Sequence, residues 1–193
     1  FLSIGVGARA LGLSHAVVAS NADLTSSYWN PAGLARLNGR KEAAAQHASY
    51  FASIANYDYL GYSQGIDSNT QVAVSLIRFG VDDILNTTQL IDQQGNVDYN
   101  RISTFNAADY ALILSLAKAN IQPDLNLGIS AKIIYRHIGP FASAIGFGFD
   151  LGAQYKRGPW MFGATAYDIT STFNAWQVNT NDLDSIFQAT GNV

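Results

Sequence analysis

Two runs of strict two-residue alternation lie in succession between Leu125 and Arg157, and they limit what this chain can fold into more than any other feature. In the first, Leu125, Leu127, Ile129, Ala131, Ile133 and Tyr135 share one face; Asn126, Gly128, Ser130, Lys132 and Arg136 share the other, interrupted only by Ile134. In the second, Ile145, Phe147, Phe149, Leu151, Ala153 and Tyr155 oppose Gly146, Gly148, Asp150, Gly152, Gln154 and Lys156. A period of two is that of a strand with one apolar and one polar face. Both runs are longer than an ordinary globular strand. A tilted strand crossing a bilayer needs about 9 to 11 residues, an apolar outer face, a small or polar inner face and aromatics near its ends, and both runs supply these. A long hairpin in a soluble sandwich or lipocalin-like barrel alternates in the same way.

Composition separates these readings. The 193 residues fit one domain, and 48% are hydrophobic while only 13% are charged, against about a quarter charged in soluble domains. No window approaches the roughly 18 uninterrupted apolar residues of a transmembrane helix, so the hydrophobicity is carried by alternation. Low charge with dispersed hydrophobicity favours a membrane β-barrel. A net charge of −3 with no basic cluster argues against nucleic acid as a partner. The absence of cysteine removes disulfides, thiol catalysis and thiolate metal sites.

Residues 1–39 have no sustained strand pattern and are rich in Gly, Ala and Ser; they read as compact loop and short helix. Asn30-Pro31 is a helix-start signal, with Asn30 able to cap and Pro31 suited to the first helical position. Tyr28 and Trp29 then become anchors packed against something larger. Strands are expected over 40–52, 56–66, 70–79, 105–117, the two organising runs and 160–169. The connections at 65–70, 118–124 and 156–159 are short and polar, while 80–104 and 170–193 are long and fall, with the turn at 137–144, on the opposite side. Outer-membrane barrels have short periplasmic turns and longer extracellular loops, which makes the N-terminus periplasmic.

Four stretches, in order, resemble one family: GVGARALGLSHAVVASNADLTSSYWNPAGLARL from Gly5, RFGVDDILNT from Arg78, AADYALILSLA from Ala107 and YDITSTFNAW from Tyr167. They are similar to the PorV/PorQ family, outer-membrane proteins related to the FadL fatty-acid channels. The resemblance implies an all-β fold, a FadL-like transmembrane antiparallel barrel of fourteen strands, serving type IX secretion in Bacteroidetes-like bacteria. Residues 1–39 would be an N-terminal hatch inside the pore, centred on Tyr28, Trp29, Asn30, Pro31 and Ala32. Residues 40–193 would be the first half of the barrel wall, since a half-barrel alone leaves two unpaired edges in lipid. The expected function is non-enzymatic: binding an exported cargo protein or the translocon through outer loops at 80–104 and 170–193, with Asp82, Asp83, Asn86, Phe173, Asn174 and Trp176 as contact candidates. A FadL-like passive channel for hydrophobic small molecules is the alternative, and a soluble carbohydrate- or lipid-binding β-protein a third.

No enzyme site stands out. His15, His47 and His137 are far apart, and neither metal-ligand spacing nor a nucleophile elbow is present, so no cofactor or metal is expected. The acidic stretch Asp82, Asp83, Asp92, Asn96 and Asp98 departs from calcium-loop spacing and reads as turn chemistry. Arg78 is expected to pair with Asp82. The polar faces of the organising strands should share a lumen, placing Lys132 near Asp150, directly opposite or one pair displaced, in a wetted setting that keeps the pair weak. Lysine at Ile129 or Phe149 should then be costly and lysine at Ser130 tolerated.

Overall fold

The computed structural model describes residues 1–91, 95–171 and 173–179, with Phe173 described through its backbone only. Eight strands follow an N-terminal segment: β1 (Glu42–Tyr50), β2 (Ala55–Gly65), β3 (Thr70–Asn86), β4 (Ser103–Gln122), β5 (Leu125–Ile138), β6 (Ala142–Arg157), β7 (Trp160–Ala166) and β8 (Phe173–Val178). β1 to β7 pair in chain order, each antiparallel to the next, as a half-barrel sheet. The all-β antiparallel architecture read from the alternation is the one present.

Register explains which face is which. Tyr62, Val74, Leu114, Ala131 and Phe149 stand side by side across β2 to β6. Leu60, Leu76, Leu112, Ile133 and Phe147 form the next row. Leu60 is 59% exposed and Ile133 50%, so this apolar face looks outward. Tyr110 and Tyr135 stack at one margin of the apolar band, and Tyr155 pairs with Phe162 at the other. The opposite face carries small and polar residues and is covered by the N-terminal segment. Ile134, the interruption in the first run, is buried there against an apolar cluster that includes Val6, Val17, Trp29 and Tyr57.

That segment contains α1 (Ala8–Gly12), α2 (Ser26–Trp29) and a 3-10 helix over Pro31–Leu37. Leu24, Leu34 and Leu37 are fully buried against Ala73, Ala117 and Ala119 of the sheet. Burying a leucine completely stabilises by about 1.5 to 3 kcal/mol, so these three are a main apolar attachment of segment to wall.

Strand extents differ from the sequence reading in several places, and β7 ends at Ala166 rather than at 169. β3 continues to Asn86 through a bulge between Val81 and Ile84, where Asp83 adopts a left-handed backbone and its N–H donates to Asn106 Oδ1 at 2.9 Å. The connection expected over 80–104 is therefore only 87–102, of which residues 92–94, including Asp92, lie outside the described residues. β4 runs on to Gln122, which pairs with Leu125, so the turn expected over 118–124 shrinks to Pro123 and Asp124. Polar residues there suggested a loop, but ladder pairing outweighs local propensity. Finally, Phe173–Val178, expected as loop, forms β8 on the first half of β6. Residues 180–193 lie outside the described residues.

Candidate functional site

The inner face of β5 to β7 and the N-terminal segment meet around Asn30. Its backbone is extended, with φ −160°, and its side-chain oxygen accepts the Ala32 N–H at 3.1 Å, opening the 3-10 helix with Pro31 at its start. Its side-chain amide donates to Val18 O at 2.8 Å and Ala153 O at 3.1 Å. One residue thus caps the helix and binds it to β6. Gln154 adds two further bonds, donating to Val18 O at 3.1 Å and Asn21 O at 3.0 Å.

This close approach depends on two glycines. Gly128 and Gly152 are register partners, flanked by Ala117 and Thr165. A Cβ on Gly128 would fall on the backbone of Pro31 and Ala32, and one on Gly152 on the Asn30 side chain and the Pro31 ring. Gly152 of β6 and Gly128 of β5 therefore serve contact with the segment, while a Cβ on Gly148 would meet Asp168 instead.

Tyr28 and Trp29 are both buried and meet edge to face, with ring centroids 4.7 Å apart. The Trp29 indole N–H donates to Val6 O at 2.8 Å, and the Tyr28 hydroxyl donates to Leu2 O. Burial pushes the Tyr28 pKa up to about 12, because removal from water disfavours the phenolate. Ala32 is fully buried.

Lys132 and Asp150 lie beside this aromatic pair. The register sets Lys132 opposite Gly148 and Asp150 opposite Ser130, so the two charges meet diagonally, with Nζ 2.8 Å from Oδ1. Lys132 is 6% exposed and Asp150 3%. The expectation of a weak pair in a wetted lumen is corrected here: the segment covers the pair, and a buried ion pair is costly to break singly. Lys132 also reaches Asp168 Oδ1 at 2.7 Å, a partner from the chain after β7. Ser130 is fully buried; its hydroxyl contacts Ser115 Oγ at 2.7 Å and donates to Ser27 O at 3.3 Å. Lysine at Ser130 would strike the segment, so this position is not the permissive one expected. A cavity of about 370 Å³ is lined by Leu2, His15, Trp29, Ile113, Lys132 and Asp168.

The remaining contact candidates lie elsewhere, on strands. Asp82 and Asp83 occupy the β3 bulge, and Arg78 Nη2 approaches Asp82 Oδ1 at 2.8 Å. Asn86 ends β3 and accepts the Thr88 N–H at 3.1 Å. Phe173, Asn174 and Trp176 belong to β8. Arg136 stacks over the Trp176 ring at 5.8 Å while chelating Asp109 through two bonds of 2.9 Å. Sequence reasoning missed Thr165, Tyr167 and Asp168, because it continued the seventh strand to residue 169, whereas β7 ends at Ala166.

An antiparallel half-barrel with an apolar outer face, a small and polar inner face and an N-terminal segment seated across that inner face defines a membrane-barrel class of protein. The family model described as type IX secretion system protein PorV matches residues 1–165, and the chain belongs to that family. Membership implies a type IX secretion system component of the outer membrane, which the sheet fits. No curated protein matches the chain.

Proposed function

We propose that this chain forms part of an outer-membrane barrel wall that binds exported protein or the translocon through the end carrying the β3–β4 connection. The observation that supports this most is the outer face itself. It is apolar in consecutive rows from β2 to β6, as a lipid-facing wall requires, so partners have to be met at the strand ends. The ends are unequal. Only short turns, at 66–69, 123–124 and 158–159, lie on one side, and the connection over 87–102 lies on the other with the turns at 51–54 and 139–141. Because short turns mark the periplasmic side of such barrels, we take the N-terminus to be periplasmic and residues 1–39 to be a hatch, which their packing on the inner face supports. The fourteen-strand barrel implied by the family resemblance accommodates these strands. Affinity purification of the full-length protein from membranes tests the partner class: co-isolation of a translocon-sized protein or secreted cargo supports it.

A second reading, passive passage of hydrophobic small molecules, is favoured by the cavity, where Leu2, Trp29 and Ile113 provide apolar wall. Lipid or detergent retained in the lumen without a protein partner would move the conclusion to this reading. Deleting residues 1–36 bears on the hatch: a folded deletion should be more permeable to small solutes, and unchanged permeability counts against it.

A further inference from the structure

β6 has two partners on one edge. β7 pairs with it as far as Ala166 opposite Leu151, and β8 resumes with Phe173 opposite Phe147. The described residues Tyr167–Ser171 therefore stand against only Gly148, Phe149 and Asp150, and Tyr167 and Asp168 reach inward from them. Asp168 and Ser171 sit in the left-handed region, at φ 50° and 62°, conformations disfavoured for residues with a Cβ. A segment shaped this way is held by its contacts rather than by its own preference.

Those contacts converge on the N-terminal segment and on the buried charges. The Tyr167 hydroxyl donates to Trp29 O at 2.6 Å, and Thr165 Oγ1 donates to the same oxygen at 3.2 Å. Asp168 N donates to Asp150 Oδ1 at 2.9 Å, and the Asp168 carboxylate lies against Lys132 Nζ. We propose that Tyr167–Ser171 is a releasable latch that holds the Trp29 turn of the N-terminal segment over the Lys132 cavity.

Two features make it releasable. Lys132 and Asp150 already sum to zero charge, so docking Asp168 takes the buried cluster to a net negative charge. Departure of Asp168 leaves the ammonium paired, unlike the usual buried ion pair, where removing one partner strands a charge. Asp168 is also the most exposed member, at 38% against 6% for Lys132. At the other contact, Trp29 O keeps the Thr165 bond when Tyr167 leaves, so no carbonyl is orphaned. Away from the latch, Leu24, Leu34 and Leu37 remain packed on the alanines of β3 and β4. Opening therefore loosens the turn at Trp29 while Leu24 and Leu34, on either side of it, keep the segment on the wall.

This rests on residues 1–39 acting as a hatch, and its test is separate from the deletion experiment. Hydrogen exchange is measured on the full-length protein in detergent or nanodiscs, for wild type, Tyr167→Phe and Asp168→Asn. The latch predicts that amides of residues 27–33 exchange about fivefold faster in each variant, while those of β2 to β5 keep their protection. Unchanged exchange at 27–33 overturns the proposal, and so does equal acceleration throughout the sheet, which would make the segment a structural brace. Tyr167→Phe keeps the ring and removes only the hydroxyl. Its failure to form a heat-modifiable barrel would also overturn the latch, since a releasable contact cannot be required for folding. Unchanged exchange combined with raised permeability of the 1–36 deletion would sink the latch and spare the hatch.

Discussion

At the scale of single residues, attachment of the N-terminal segment relies on missing Cβ atoms and on one bifunctional amide. Gly152→Ala should destabilise the folded barrel by about 1 to 3 kcal/mol, because the new methyl meets Asn30 and the rigid Pro31 ring rather than a flexible side-chain end. Equilibrium unfolding in urea, read by the gel-mobility shift of the folded barrel, measures it. Asn30→Ala loses both the cap and the bond to Ala153 O, and should cost roughly 1 to 3 kcal/mol in the same assay. The cap was legible from Asn30-Pro31 alone, since capping is local chemistry. The bond to Ala153 was not, because a backbone carbonyl carries no mark in sequence. Asp67, in the β2–β3 turn, accepts the N–H groups of Asn69 and Thr70, each at 2.7 Å. The Asn69 bond leads in holding its carboxyl below the ordinary value. A depressed pKa means that this contribution is present above the unfolded-state pKa and is lost as pH falls through the folded one. The protection of the Asn69 and Thr70 amides, taken relative to intrinsic exchange at each pH, should therefore fall on acidification below about pH 4, and Asp67→Asn should abolish that fall.

At the scale of elements, the alternating runs were readable because every second residue of β5 and β6 answers to a different environment. Ile129→Lys and Phe149→Lys, on the outer face, should each cost about 2 to 4 kcal/mol near the bilayer midplane and impair heat-modifiable barrel formation. Asn174→Lys is the appropriate inner-face comparison: Asn174 pairs with Gly146 on the inner face yet remains exposed, so lysine there should cost far less. If Asn174→Lys were the most damaging of the three, the inside and outside faces would be exchanged. Strand ends were less legible than strand centres. Lys118–Gln122 mixes polar residues with Ala119 and Ile121, and the adjacent Asp82 and Asp83 interrupt the alternation in Val81–Asn86, yet pairing to β5 and β4 extends both strands, with a register shift in each ladder. β8 was hidden for a related reason: its partner edge on β6 is vacant only because β7 stops at Ala166, and no local pattern reports that.

At the scale of the molecule, the long connection over 87–102 shares one end of the sheet with the turns at 51–54 and 139–141, while the other end carries only the turns at 66–69, 123–124 and 158–159. With cysteines placed at Asn96 and Ser68, an impermeant reagent on intact cells should label the first and spare the second; the reverse pattern would invert the proposed topology. The bonds that fix Asn30 to the wall carry a further consequence, this one for the order of assembly. Asn30 and Ala153 are 123 residues apart in sequence, and Asn30 and Ala164 are 134 apart. Closing such long loops is slow compared with zipping one hairpin onto the next, and neither carbonyl is in position until β6 has paired. The part of this sequence synthesised first is thus among the last to be secured. Leu24, Leu34 and Leu37 need only the alanines of β3 and β4 to cover them, so the segment can rest on the early hairpins before Asn30 locks it to β6.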